Sequence, residues 1–260
     1  MSQSPPPIVG VVHLPALPGS PRAGLSLDAI IASALRDARA YAEGGASALI
    51  VENFHDVPFR KEQVEPPVIA AMTLAVRAVR QAVALPLGVN VLRNDAGAAL
   101  AIAAVTGAAF IRVNIHSGAL VTDQGIIQTL ADDTLRQRRA LGAEQVAIWA
   151  DVLVKHASPL GPIAIEDAAD DLIQRELADA VIVTGRATGR PADPEELSRL
   201  RAAFPAFPLY VGSGVTAESI ADYLPAASGF IVGTWVKEGG HIERPVDPAR
   251  VARLVAAARC

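Results

Sequence analysis

Eight short apolar runs recur along the chain, at 8–12, 48–52, 87–91, 110–114, 146–151, 180–184, 209–212 and 229–233. They are apolar almost throughout rather than in alternation, the pattern of parallel strands buried on both faces. Between them lie stretches whose apolar positions return at helical spacing: 27–43, 66–84, 95–106, 126–141, 165–177, 194–204, 217–224 and 247–259. Local signals mark several ends. Ser26 precedes the first helix and Gly44-Gly45 follows it, while Asp193 and Thr216 stand at N-cap positions, with Pro194 at a first helical position. Eight strand–helix units in 260 residues match the length of about 250 typical of a closed barrel. An open doubly wound sheet is the alternative, but no phosphate loop follows the first run. The pattern predicts a single (β/α)8 TIM barrel over 1–260, with 1–7 as a flexible N-terminal tail.

Composition agrees with this. Hydrophobic residues make up 51% and aromatics 4%, so the apolar content is mostly Ala, Val, Leu and Ile, suited to helices packed closely on a sheet. The net charge of −4 brings no basic stripe, which argues against a nucleic-acid partner. The lone cysteine, Cys260, cannot form an internal disulfide and is expected as a reduced thiol in a cytoplasmic protein. The first residues lack a signal-peptide pattern, and no apolar run is long enough to span a bilayer. Membrane contact is therefore expected to be peripheral at most. A homo-oligomer is permitted but not required.

Barrel sites lie at the C-terminal ends of the strands, with phosphate commonly held after the last two. Here the seventh run leads into Gly212-Ser213-Gly214-Val215-Thr216 and the eighth ends at Gly233-Thr234-Trp235. Glycines allow close backbone approach, and free N–H groups there suit a dianion. Gly212, Ser213, Gly214, Gly233 and Thr234 are thus the expected phosphate site, with Lys237 nearby either as an added charge or as a surface lysine.

The remaining strand ends present His13, Glu52-Asn53, Asn90 with Arg93-Asn94, Arg112 with Asn114 and His116, Asp151, Lys155-His156, and Thr184. Such a ring is costly unless satisfied, so it points to ligand binding or catalysis. Glu52 and Asp151 are the acid/base candidates, each weighed equally against a plain ion pair. Lys155 is expected to hold a carboxylate or phosphate, with a Schiff base as its alternative. His13 is either a proton carrier or a satisfied core histidine. Asn53, Asn90, Asn94, Arg112, Asn114, His156 and Thr184 are candidate substrate contacts. His55, His116 and His156 fall in loops, where a solvated ring is the default. No cofactor is required; a divalent metal on Glu52, Asp151 and a histidine stays open, although no ligand spacing supports it.

The segment His13-Leu14-Pro15-Ala16-Leu17-Pro18-Gly19 resembles the opening of the BtpA/SgcQ family, also called the photosystem I biogenesis family. The likeness continues through Val51-Glu52-Asn53-Phe54-His55-Asp56, Gly88-Val89-Asn90-Val91-Leu92-Arg93-Asn94, Phe110-Ile111-Arg112-Val113-Asn114, Asp151-Val152-Leu153-Val154-Lys155-His156 and Gly212-Ser213-Gly214-Val215. The resemblance implies a barrel, a link to photosystem I accumulation in photosynthetic organisms, and in other members small-molecule metabolism with a nucleosidase-like role. It implies no particular reaction or catalytic set. Phe54 and Phe59, in a loop above the expected barrel mouth, are suited either to stacking on a ring or to anchoring the loop.

The expectation is an enzyme acting on a phosphorylated small molecule, a sugar phosphate or nucleotide, by glycosidic cleavage or aldol-type chemistry. A non-catalytic assembly or regulatory factor and a phosphate-ligand sensor are the alternatives.

Overall fold

All eight apolar runs become strands of one closed parallel sheet. The computed structural model describes residues 6–185 and 189–259, so Met1–Ser4, Pro5 and Cys260 of the sequence reading lie outside the described residues. The elements in chain order are β1 (Ile8–His13), α1 (Leu27–Glu43), β2 (Ala48–Glu52), α2 (Pro66–Ala82), β3 (Leu87–Asn90), α3 (Ala96–Thr106) and β4 (Phe110–Val113). A hairpin follows, β5 (Ala119–Thr122) and β6 (Gly125–Gln128), then α4 (Ala131–Ala140), β7 (Ala147–Val152), β8 (Ala157–Pro159) and α5 (Ile165–Asp170). The chain ends with β9 (Ala180–Val183), α6 (Pro194–Ala203), β10 (Leu209–Val211), β11 (Gly229–Val232) and α7 (Pro248–Ala257). The barrel order is β1-β11-β10-β9-β7-β4-β3-β2, and β1 closes it by pairing with both β2 and β11.

Alternation along each strand sorts its side chains between two cores. Val9, Val11, Ala48, Ile50, Phe110, Ile182 and Ile231 form the core inside the barrel. The larger core lies between barrel and helices, and holds Leu49 and Val51 together with Ala34 and Ala38 of α1 and Met72 and Val76 of α2. Inside, Phe110 stacks on Trp149 at 4.0 Å and Trp149 on Tyr210 at 4.3 Å. Glycine makes room for these rings: a Cβ at Gly88 would overlap the Phe110 ring, and one at Gly229 would lie 2.5 Å from Tyr210. This large-beside-small filling closes the N-terminal half of the barrel. The same parity then carries His13, Glu52, Asn90, Arg112 and Asp151 inward, one layer above.

Three expected elements differ. Residues 126–128 belong to β6, so the fourth helix starts only at Ala131. The hairpin joins β8 in a three-stranded antiparallel sheet, β6-β5-β8, closed underneath by Ile115, Leu120, Ile127 and Val154. The helix expected at 217–224 is a single 3-10 turn, Ile220–Asp222. After Asp170 the fifth helix widens into a π turn, Asp171–Arg175. Within the segment expected as a tail, the Pro7 carbonyl accepts a hydrogen bond from Phe230 N at 3.0 Å.

Candidate functional site

At the C-terminal mouth two cavities meet. The larger, about 500 Å³, has Phe54, Leu92, Arg93, Asn114 and Asp123 in its wall. The smaller, about 220 Å³, is walled by His13 and by the turns at Gly212–Thr216 and Gly233–Trp235. Glu52, Arg112 and Lys155 line both, and so mark the junction over the barrel axis.

The polar ring divides into two sets. The first holds the rim together. Asn53 accepts from Leu92 N at 2.7 Å and donates to Leu92 O and to Asp56. Asn94 repeats this one strand on, accepting from Ile115 N at 2.8 Å and donating to Ile115 O at 2.9 Å. Thr184 Oγ1 accepts from Lys155 N at 3.1 Å. Ser213 Oγ accepts from Gly185 N at 2.8 Å and donates to Arg190 O at 3.0 Å. Each ties one strand-end loop to its neighbour. Asn53, Asn94 and Thr184, expected as substrate contacts, thus brace neighbouring loops, and the proton of the Ser213 hydroxyl is directed at Arg190.

The second set faces the junction. Glu52, level with His13 on one side and Asn90 on the other, accepts from Asn90 Nδ2 at 2.7 Å. Asp151 is different: its side chain is 0% exposed, and it receives Arg112 Nη2 at 2.9 Å and Asn114 Nδ2 at 2.6 Å. Of the two roles weighed for it, the ion pair is the one observed. Burial works against the Arg112 charge, but the Asp151 and Glu52 carboxylates more than offset it and raise its pKa. Burial and the Arg112 charge lower the pKa of Lys155, which forms no ion pair among the described residues. His13 is held well below 6.5, first by burial and then by Lys237 and neighbouring cations, so its imidazole is neutral at pH 7. Its ring lies 4.6 Å from Phe54, and its Nδ1 is buried without a partner among the described residues.

The glycine turns supply shape and donors. A Cβ on Gly233 would come within 2.5 Å of His13 Cε1, and one on Gly212 within 2.5 Å of Ile182. Neither has a positive φ, so closeness is what demands glycine there; Gly214 adopts φ +70°. Among the described residues the amides of Ser213, Gly214, Thr234 and Trp235 donate to no protein oxygen. These N–H groups suit an oxyanion.

Lys237 is neither surface residue nor phosphate ligand: it is buried, 2.9 Å from Asp37 of α1. His116 is likewise no solvated ring but is 1% exposed, with Nε2 2.9 Å from Glu176 O. His156 is exposed at the larger cavity, where burial and the Lys155 charge lower its pKa. No three His, Cys, Asp or Glu side chains gather as a metal site among the described residues, and Asp151 is committed to Arg112. No described helix is long and apolar enough to cross a membrane. Two residues that the sequence reading gave no role, Arg93 and Asp123, line the larger cavity. Arg93 was legible as a rim residue beside Asn94, whereas Asp123 fell in the unassigned stretch before the expected helix 126–141, which took in only part of its hairpin.

Similarity to known proteins fits this architecture. The chain is 47% identical over 251 residues to the photosystem I biogenesis protein BtpA of Synechocystis sp., covering 96% of this chain and 87% of that one. Among solved structures it resembles N-(5'-phosphoribosyl)anthranilate isomerase from Pyrococcus furiosus, at TM-score 0.61 and 16% identity, covering 97% of this chain and 98% of that one. Thiamine phosphate pyrophosphorylase from Pyrococcus furiosus gives TM-score 0.60 at 12% identity, with 97% and 95% covered. These two likenesses concern the barrel fold alone. The sequence profile of the BtpA family matches residues 4–260, and the chain belongs to that family.

Proposed function

We propose that this barrel is an enzyme acting on a phosphorylated small molecule. The observation that carries the reading is the junction of the two cavities at Glu52, Arg112 and Lys155. A phosphate in the smaller cavity meets the Gly212–Gly214 and Gly233–Thr234 backbone, and the rest of the molecule extends over the axis into the larger one. Binding energy from the phosphate then positions the reacting carbon. The names of the two structural neighbours also carry phosphorylated compounds.

Of the reactions considered, aldol-type chemistry fits better than glycosidic cleavage by a carboxylate pair. Such cleavage uses two carboxylates on the scissile bond, and Asp151 is withdrawn into its contact with Arg112 and Asn114. Glu52 is left as the acid/base group, beside a neutral His13 suited to passing a proton. Lys155 and Arg112 provide positive charge for an oxygen that becomes anionic during reaction.

Native mass spectrometry of the purified protein tests the reading by identifying a copurified ligand. A phosphate ester is expected; a ligand without phosphate, held in the same cavities, overturns it. With the substrate in hand, Glu52→Gln is expected to abolish turnover.

The name of the Synechocystis relative favours a second reading, a non-catalytic assembly factor. Exposed apolar residues around the small sheet, Val121, Ile126, Leu160 and Ile163, are where such a factor has surface to offer. The buried charges at the barrel mouth have no use in that reading.

A further inference from the structure

We propose that Arg93 is a second anion-recognition point, at the opposite end of the site from the glycine turns, and that the ligand is a phosphate ester bearing a carboxylate at its far end. The inference rests on the phosphate reading and specifies the ligand class. Arg93 is only 4% exposed, yet its side chain makes one hydrogen bond among the described residues, from Nη2 to Lys155 O at 2.7 Å. Its Nε is buried without a partner, and no described carboxylate lies within 4.0 Å of the guanidinium. An arginine cannot shed its proton to relieve burial. A buried cation is ordinarily retained only with an opposite charge beside it.

The neighbouring carboxylates do not fill that need. Asp151 is engaged by Arg112 and Asn114, Glu52 is bonded by Asn90, and Asp123 at the hairpin tip is exposed to water. With Arg112 and Asp151 cancelling, buried Arg93 and half-buried Lys155 outweigh the one remaining buried carboxylate, Glu52, around the junction. Lys155 sits at that junction, where the phosphate arm begins, whereas Arg93 lines the larger cavity and not the smaller. The Lys155 carbonyl fixes the guanidinium, and Phe54, Val57 and Leu92 reduce water around it. A planar, fixed guanidinium matches a carboxylate through two parallel hydrogen bonds.

Calorimetric titration with matched pairs tests this. 6-Phosphogluconate and sorbitol-6-phosphate have the same length and differ by a carboxylate against a hydroxymethyl group; 3-phosphoglycerate and glycerol-3-phosphate form a shorter pair. In at least one pair the carboxylated member is expected to bind about tenfold or more tightly, the scale of a hydrogen bond to a charged group. The preference should fall to near one in Arg93→Gln, with affinity for the uncarboxylated ester retained as evidence of an intact fold, and Arg93→Lys should restore part of it. Phosphate esters that bind without carboxylate preference overturn this inference and leave the phosphate reading standing. A preference that survives in Arg93→Gln also overturns it. If the uncarboxylated esters bind no better than sorbitol and glycerol, the phosphate reading falls, and if no compound binds, both fall. If Arg93→Gln is unstable, absence of a preference in the wild type still overturns the inference, and Arg93→Lys, which keeps the charge but loses the paired donors, should reduce a preference that is present.

Discussion

Replacing Asp151 by Asn separates structural from chemical carboxylates in this barrel. Asparagine keeps the shape but removes the charge that balances Arg112, both side chains being almost wholly enclosed at 0% and 3% exposure. The Asp151 carboxylate also accepts from Asn114 at 2.6 Å, and an amide at that position cannot offer two acceptor oxygens. Breaking one side of a buried ion pair typically costs about 3–5 kcal/mol. For a chain of this size that lowers the melting temperature by roughly 6–20 °C. Glu52→Gln faces the cavity junction and disturbs one bond, to Asn90, so its cost should be about 1 kcal/mol. Removing Arg112 as well, by Arg112→Gln with Asp151→Asn, takes away the stranded charge, and the double variant should cost less than the sum of the two single ones. Chemical denaturation of the wild type, the three single variants and the double variant measures these differences. If Asp151→Asn is as stable as the wild type, or if Glu52→Gln costs as much, the division of roles is wrong.

Three further outcomes follow from other contacts. Asn53→Ala and Asn94→Ala each leave the buried amide of Leu92 or Ile115 without its acceptor; a loss of about 1–3 kcal/mol is expected in denaturant melts, against less for Asn90→Ala. Gly233→Ala drives a methyl group against the His13 ring without backbone strain, so affinity for phosphate esters should drop while the circular-dichroism spectrum stays that of the wild type. His13 and His116 have folded pKa values lowered mainly by burial. Their stabilising contribution is therefore present above their unfolded pKa near 6.5 and is lost as pH falls from there through the folded pKa, each with a limiting slope of about 1.4 kcal/mol per pH unit. His13→Asn should remove one histidine's share of that slope between pH 6.5 and 5; a slope unchanged in the variant would mean that His13 is not buried neutral.

The barrel was legible because its strands are buried on both faces and so are apolar without interruption. The hairpin was not, since Gly125-Ile126-Ile127-Gln128 runs directly into a helix and four residues do not separate a period of two from one of 3.6. At the rim, residue types alone do not separate loop braces from groups that face the cavity. Asn53 and Asn90 look equivalent in sequence, yet Asn90 shares the inward parity of Gly88 while Asn53 stands one residue past the inward Glu52. Ser213 stands in the same relation to Gly212. Strand parity, counted back from the inward Ile50 and Tyr210, would have sorted these two braces from the groups that face the cavity. Thr184 escapes that rule: it has the inward parity of Ile182, and only the path of the Lys155 loop shows that its hydroxyl is taken by a backbone amide.

The braces and the cavity-facing charges depend on each other. Arg112, Arg93 and Lys155 lie close enough to repel, and the attraction of Asp151 and Glu52 offsets this only while the loops hold all five at fixed separations. Lys155 shows the coupling most directly: its amide donates to Thr184, its carbonyl accepts from Arg93, and its ammonium reaches the junction. A change in the Thr184 brace therefore shifts two cations at once, one on the phosphate side and one on the far side. Thr184→Val, which keeps the shape and removes the acceptor, should weaken binding of both ends of a phosphate ester bearing a carboxylate. Arg93→Gln should weaken only the carboxylate end. That contrast, read in the same matched-pair titrations, distinguishes a site built as one unit from two independent anion pockets that happen to share a cavity.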